Sequence, residues 1–222
     1  MINQQLPFPT LPSKNGYKYT IRPAITSDIP SLTTLHFAAF GEEIEQFIPN
    51  DRDGREWMSE AFRVCFEEFA DDCYTIAVIG SKIGDEGEGE IVAYARYILP
   101  TREVWENMYS YPKAVGGMDQ SKLDEFLGGL EKQHAEVMGW DSEEGVKHLW
   151  FENLATHPDH RRIGIGRALV EYLCTIADDM KLDVYLDASD FGMGLYEKFR
   201  FRTVEGTGNK AVSAPMVRRV KD

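Results

Sequence analysis

The stretch HPDHRRIGIGRALVEYL, His157 to Leu173, sets two arginines and two glycines directly before a run with helical spacing. Glycines let backbone N–H groups approach a ligand with no Cβ in the way. A helix N-terminus presents N–H groups that lack intrahelical partners, together with a partial positive charge. The combination forms an anion site suited to phosphate or pyrophosphate, with Arg161, Arg162 and Arg167 adding charge around it. Two familiar phosphate loops are excluded by the residues themselves. A P-loop needs Lys followed by Ser or Thr after its glycines, and the dinucleotide pattern G-x-G-x-x-G needs glycine where Leu169 stands. The later SDFGMG imitates a kinase D-F-G, but neither an H-R-D-type loop nor a kinase glycine-rich loop accompanies it.

Outward from this stretch the chain alternates strands and helices. KHLWFENLATHP reads as a strand ended by Pro158, and GRALVEYLCTIADDM as a helix with Leu169, Leu173 and Ile176 on its apolar face. LDVYLDAS is a strand, GMGLYEKF a short helix, and FRTVE and APMVRRV are closing strands. Upstream, YKYTIRPA is a strand. TSDIPSLTTLHFAAF is a helix with Ser27 or Asp28 as its cap, Pro30 in its first turn, and Ile29, Leu32, Leu35, His36 and Ala39 at helical spacing. DGREWMSEAFRVCFEEFA is a second helix with Trp57, Ala61, Val64 and Cys65 on one stripe. YTIAVIG and GEIVAYARYIL are strands joined by the hairpin loop SKIGDEGEG. Strands and helices that do not alternate strictly predict an α+β fold around a mixed sheet.

Between the third and fourth strands lies an insert, Thr101 to Val146. It holds Trp105, Tyr109 and Tyr111, then a helix, SKLDEFLGGLEKQHAEVM, with Leu123, Phe126, Leu127, Leu130 and Val137 as its apolar stripe. Residues 1–15 read as a Pro-containing arm, and residues 16–222 as one domain.

The net charge of −13 weighs against a nucleic-acid or membrane-surface partner. The three cysteines, Cys65, Cys73 and Cys174, form no C-x-x-C pair and read as reduced thiols. The first residues lack a basic n-region and a long apolar run, and no stretch approaches the roughly 20 apolar residues of a membrane span. A soluble, cytoplasmic protein is expected. His157, Asp159 and His160 sit in a Pro-containing turn with no further clustered ligands, so no metal site is expected. His36 and His134 read as packed histidines, and Cys174 as a buried thiol.

The pattern R-x-x-G-x-G, Arg161, Gly164 and Gly166, lies after a strand and opens a helix. With LATHPDHRRIGIGRALVEYL, then YLDAS, then LYEKFRFRTV, the chain resembles the GNAT superfamily of acyl-CoA N-acyltransferases, in detail over Leu149 to Glu205 and in topology over most of the rest. The resemblance implies a mixed, mostly antiparallel sheet flanked by helices, with acetyl-CoA as co-substrate. It implies that Arg161, Arg162, Ile163, Gly164, Ile165, Gly166 and Arg167 hold the pyrophosphate of coenzyme A. It also implies that the fourth core strand splays from the fifth, and that pantetheine bonds to strand backbone around Leu154, Ala155 and Thr156. One departure stands out: the family's Tyr-x-x-x-Gly-Phe reads YEKFRF here, with Arg200 in place of glycine.

Acyl transfer from a thioester to an amine needs three things. The amine must lose a proton, the carbonyl oxygen needs donors as the tetrahedral intermediate forms, and the leaving thiolate needs a proton or stabilisation. By the resemblance Tyr196 serves the thiolate, and a main-chain N–H near Leu154 or Ala155 serves the oxyanion. Glu152, in the strand leading to the motif, would share Leu154's face by strand alternation. It is a candidate base, directly or through water, with water alone or a solvated or ion-paired glutamate as the alternatives. The acidic turn Glu42, Glu43 and Glu45 either borders an amine pocket or is simply solvated. The acceptor read from these features is the primary amine of a small molecule. The alternatives are a protein lysine or N-terminal amine, or an acyl-CoA-binding module without turnover.

Overall fold

The structure is a computed structural model that describes residues 6–85, 87–99, 111–139, 147–205 and 213–220. Trp105 and Tyr109 lie outside the described residues. Seven strands form one sheet in the order β1-β2-β3-β4-β5-β7-β6. They are β1 (Tyr17–Pro23), β2 (Cys73–Lys82), β3 (Glu90–Ile98), β4 (His148–Thr156), β5 (Asp183–Ala188), β6 (Arg202–Thr203) and β7 (Ala214–Arg218). Every neighbouring pair is antiparallel except β4 with β5. Five α-helices among the described residues flank it: α1 (Ile29–Ile44), α2 (Arg52–Glu67), α3 (Gln120–Met138), α4 (Ile165–Asp179) and α5 (Asp190–Tyr196). This is the mixed, mostly antiparallel α+β domain expected, with α3 as the insert helix.

The alternation of side chains along the central strands feeds two large cores and a smaller third one around Ile98, Trp150 and Tyr185. Val78, Ala93, Ala95, Leu149, Val184 and Leu186 meet α4, through Ile165, Leu169 and Leu173. Ala77, Ile79, Tyr94 and Ala155 meet α1 and α2, through Leu32, Leu35, Trp57 and Phe62. The α2 stripe is Trp57, Met58, Ala61 and Phe62, while Val64 and Cys65 are only partly covered. Residues Leu6 and Phe8 pack against the α4 core, where Phe8 lies 5.3 Å from Tyr172 and the Tyr172 hydroxyl donates to the Leu6 carbonyl at 3.2 Å.

The insert helix is well punctuated. Asp119 caps it by accepting from the Ser121 and Lys122 amides, and Gly139 ends it at φ 60°. Its first half buries Leu123 as expected. Its second half buries Gln133 and His134 before Met138, a polar line where the sequence offered an apolar one. The reason is what lies beneath, since His134 stacks on Tyr185 at 4.0 Å and its Nε2 lies 2.6 Å from Nε2 of His148.

Two irregularities of β4 shape the molecule. First, β4 pairs with β5 only from His148↔Asp183 to Trp150↔Tyr185. Beyond that, β4 stays with β3 as far as Thr156 and β5 stays with β7 as far as Ala188, so the two strands part. Second, Arg96 pairs with Asn153 but Tyr97 pairs with Phe151, which leaves Glu152 as an extra residue in a β-bulge. The bulge resets the alternation. Leu154 packs with Phe151 in the α4 core, whereas Glu152 meets Arg96, whose guanidinium lies over the Phe62 ring of α2. The shared face expected for Glu152 and Leu154 is therefore corrected: the extra residue puts them on opposite faces.

Candidate active site

Where β4 and β5 part, a cleft of about 1150 Å³ opens between them and the helix termini. Residues Glu152–Thr156 have no strand on their β5 side among the described residues, so the outward backbone groups of this edge face a ligand, apart from the Thr156 carbonyl, which accepts from Arg161. Gly164 caps α4 at φ 98°, a conformation that favours glycine. Built onto Gly166, a Cβ would stand 3.5 Å from Leu195 and 3.9 Å from both Leu154 and Thr156. The start of α4, the end of β4 and α5 thus converge at one point, with the helix's unpaired N–H groups beside the open strand edge.

Of the expected cofactor-binding residues, Leu154, Thr156, Arg161, Arg162, Gly164, Ile165, Gly166 and Arg167 line this cleft. Two do not line it. The Ala155 side chain turns into the α1–α2 core and that of Ile163 packs against the α4 core. Arg161 also has a tethering role, because its guanidinium donates to the Thr156 and Ala39 carbonyls at 3.1 Å each, pinning the loop to β4 and α1. The Arg161 and Arg162 guanidinium carbons lie 5.0 and 5.3 Å over the exposed ring of Phe191, which also lines the cleft and stood in the sequence only as part of SDFGMG.

Tyr196 reaches the cleft from the end of α5. Its ring packs edge-on against Phe151 and Phe201. Burial raises its pKa above the ordinary phenol value, which keeps the hydroxyl protonated. Among the described residues that hydroxyl has no hydrogen-bond partner, so it is open to a ligand in the cleft. The turn after α5 keeps its shape despite Arg200, which adopts the left-handed φ of 71° that glycine usually supplies.

Glu152 lines the cleft beside Tyr196, yet it is held from behind. Arg96 donates to both its carboxylate oxygens, through Nε to Oε2 and through Nη2 to Oε1 at 2.6 Å, and the Tyr111 hydroxyl lies 3.4 Å from Oε1. Arg96 and Glu152 side chains are 5% and 8% exposed. Tyr111 arrives from the insert, anchored where its ring stacks near Trp57 at 6.2 Å and Trp57 donates to the Pro112 carbonyl.

The far end of the cleft is apolar and acidic. Phe37, Phe40, Phe126 and Leu130 line it with Glu43 and Glu45, and Phe47 stacks on Phe126 at 4.6 Å, joining the acidic turn to the insert helix. The Glu42 side chain lies outside what is described. On β5, Asp187 also lines the cleft. Burial pushes its carboxyl up to about 6, against the opposing pull of hydrogen bonds from Gln133 and Tyr185. Little in the local pattern marks Asp187. The readable signal was indirect, a glutamine and a histidine on the buried side of the insert helix.

The histidines pack as read. His36 contacts the Tyr94 hydroxyl at 2.6 Å, and burial pushes its pKa down to about 3. Among the described residues no three His, Cys, Asp or Glu side chains converge to hold a metal ion. His160 instead pairs with Tyr19 at 3.1 Å, and His157 accepts from the Asp159 amide. No helix among the described residues is long and apolar enough to cross a membrane.

Comparison with known proteins bears on this geometry. Solved structures share the fold at low identity. One is a protein described as histone acetyltransferase HPA2 and related acetyltransferase from Corynebacterium glutamicum, with a TM-score of 0.56 and 18% identity over 92% of this chain and 97% of that one. A second is arylalkylamine N-acetyltransferase 2 from Aedes aegypti, with a TM-score of 0.59 and 12% identity over 91% and 99%. A third is the PaiA N-acetyltransferase from Thermoplasma acidophilum, solved in complex with coenzyme A, with a TM-score of 0.54 and 9% identity over 91% and 99%. No curated protein matches significantly in sequence. The sequence model of the Acetyltransferase (GNAT) family matches residues 40–201, which takes in the bulge, the parted strands, the glycine loop and Tyr196. By that match the chain belongs to the GNAT family of acetyltransferases, which use acetyl-CoA.

Proposed function

We propose that this protein transfers the acetyl group of acetyl-CoA to the primary amine of a small molecule, by direct attack in a ternary complex. The observation that carries the reading is the convergence of three features in one cleft. These are the glycine-capped α4 terminus, the unpaired edge of β4 and the unpartnered Tyr196 hydroxyl. In this reading the amides of Arg161 to Arg167 hold the pyrophosphate, with Arg162 and Arg167 adding charge. The backbone of Leu154, Ala155 and Thr156 bonds the pantetheine arm, and an N–H at Leu154 or Ala155 faces the carbonyl oxygen as it gains charge. Tyr196 donates a proton to the departing thiolate. Glu152 stands in the cleft wall as half of a buried ion pair with Arg96. It serves poorly as a proton acceptor because both its oxygens already accept from Arg96.

The acceptor end favours an amine with an apolar body. Its aromatic and aliphatic wall suits a ring or chain, and Glu43 and Glu45 suit a cation. The structural likeness to arylalkylamine N-acetyltransferases from a mosquito points in the same direction. The net charge of −13 disfavours nucleic acid as a partner. Three free cysteines fit a cytoplasmic setting. Thiol release from acetyl-CoA, measured with polyamines, aryl and arylalkyl amines, amino acids and peptides, tests the reading. Turnover with an arylalkyl or other small primary amine supports it. Turnover confined to peptides would reassign the acceptor to protein. Binding of acetyl-CoA with no turnover on any amine would leave an acyl-CoA-binding module.

A further inference from the structure

We propose that Asp187 is the group that takes the proton from the acceptor's ammonium, held for that task by Gln133 of the insert helix and by Tyr185. The inference rests on the amine-acetyltransferase reading above and adds the residue that makes the amine nucleophilic.

Asp187 lies one residue beyond Leu186 and one before Ala188, both of which face the α4 core. Alternation therefore turns Asp187 to the opposite face, beneath α3, where it lines the cleft. Its Oδ1 accepts twice, from Gln133 Nε2 at 2.6 Å and from the Tyr185 hydroxyl at 2.9 Å. Its Oδ2 has no donor among the described residues. Gln133 is 2% exposed, and its own Oε1 is buried without a partner among the described residues. A leucine there would pack without that unmet acceptor. What the glutamine supplies instead is a neutral donor that fixes one carboxylate oxygen and leaves the other to the cleft.

The contrast with Glu152 is electrostatic. Glu152 is neutralised by Arg96, whereas both donors to Asp187 are uncharged. His134 and His148 pack on Tyr185, and burial keeps His134 neutral. Glu152, Tyr196 and Lys198 line the same cleft, as does the acidic turn. A carboxylate without a cationic partner, facing a site that admits an amine, is complementary to an ammonium ion. Its raised pKa, about 6, leaves it mostly ionised at neutral pH while making it a stronger base than an ordinary aspartate.

The ammonium passes one proton to Oδ2 of Asp187. The freed lone pair attacks the thioester carbonyl carbon, the C–N bond forms and the C–S bond breaks. The second nitrogen-bound proton makes good the one that Tyr196 gives to the thiolate. Asp187 then releases its proton to water through the open cleft.

The test is kcat/KM against pH for the wild type, Asp187→Asn and Gln133→Leu, with the small primary amine that turns over fastest in the panel. The wild type should show an acid limb near pH 6, the free-enzyme value expected for Asp187. Asp187→Asn should lose about 10²-fold or more in kcat and lose the limb, with acetyl-CoA affinity unchanged. Gln133→Leu should retain measurable turnover at a reduced kcat and move the limb to higher pH, since the bond it removes positions Asp187 and lowers its pKa. A limb that stays in place in Gln133→Leu overturns the proposal, as does Asp187→Asn with wild-type kcat and limb. If Asp187→Asn does not fold, the wild-type limb and its shift in Gln133→Leu decide. A wild type that releases no thiol with any amine refutes the acetyltransferase reading itself. A wild type that turns over beside an unaffected Asp187→Asn refutes this inference alone.

Discussion

Removing the Glu152 charge with Glu152→Gln should destabilise the fold far more than it alters the surface. The two partners of this ion pair are 5% and 8% exposed, and the guanidinium has no other acceptor among the described residues, its Nη1 being buried and unpartnered. Breaking a buried pair from one side leaves an uncompensated charge and costs about 3–5 kcal/mol. For a domain of this size each kcal/mol shifts melting by roughly 2–4 °C, so the midpoint should fall by about 6–20 °C. Deleting both charges, in Arg96→Met with Glu152→Leu, should recover much of that loss, because each ion's desolvation cost disappears with it. Thermal melts of the wild type, Arg96→Met, Glu152→Leu and the double variant at neutral pH, in low and high salt, supply the double-mutant cycle. Salt should change the coupling little, since screening acts mainly on exposed charges. A Glu152→Gln protein melting within about 2 °C of wild type would refute the reasoning, being less than the smallest credible cost. Loss of kcat by about 10²-fold with an unchanged midpoint would instead make Glu152 the catalytic base.

Gly164→Val places a branched side chain at φ 98°, a strain of at least about 1–2 kcal/mol, and should abolish the melting shift that acetyl-CoA produces. In the wild type that shift should reflect about 2.7 kcal/mol at 100 times the dissociation constant. Tyr196→Phe should lower kcat at least about tenfold while acetyl-CoA affinity and melting temperature hold, with donors bearing better leaving thiols suffering less. Arg200→Gly relieves a left-handed residue at φ 71° and, net of glycine's added chain entropy, should stabilise by about 0.5–1 kcal/mol in thermal melts. Asp187 has a folded pKa above its unfolded one, so its contribution to stability is greatest below the unfolded value and is lost as pH rises through about 6. Asp187→Asn should therefore melt higher relative to wild type at pH 8 than at pH 4, and a gap that shrinks toward pH 8 would contradict that sign.

The sequence made the strands and helices legible because their apolar residues recur at a helical or a strand period, as in Leu32 and Leu35 of α1 or Ala93 and Ala95 of β3. The glycine loop was legible because few structures need two glycines and three arginines at a helix start. The bulge was not, since the paired apolar and polar residues of WFENLA fit a regular strand buried on both faces as readily as a bulged one, and the extra residue exists only relative to β3. With it went the face of Glu152 and its partner Arg96, which lies 56 residues earlier. Asp187 escaped for a similar reason. YLDAS looks like a strand reaching solvent, and only the docking of α3 brings Gln133 over it, 54 residues away in the chain. Local pattern specifies elements, and the chemistry of a buried carboxylate depends on what distant segment covers it.

The parting of β4 from β5 also makes the sheet a jointed body. Strands β1 to β4 form one run of antiparallel neighbours and β5, β7 and β6 another, and three residue pairs join them. Helix α4 packs across that joint, against β3 and β4 on one side and β5 on the other. Amide groups on the open edges lack the interstrand bonds that slow exchange with solvent deuterium, so the two panels should open as separate units. A ligand lying between them would serve as the missing rungs. Its arrival should slow exchange in both panels together, turning two local openings into one cooperative unfolding.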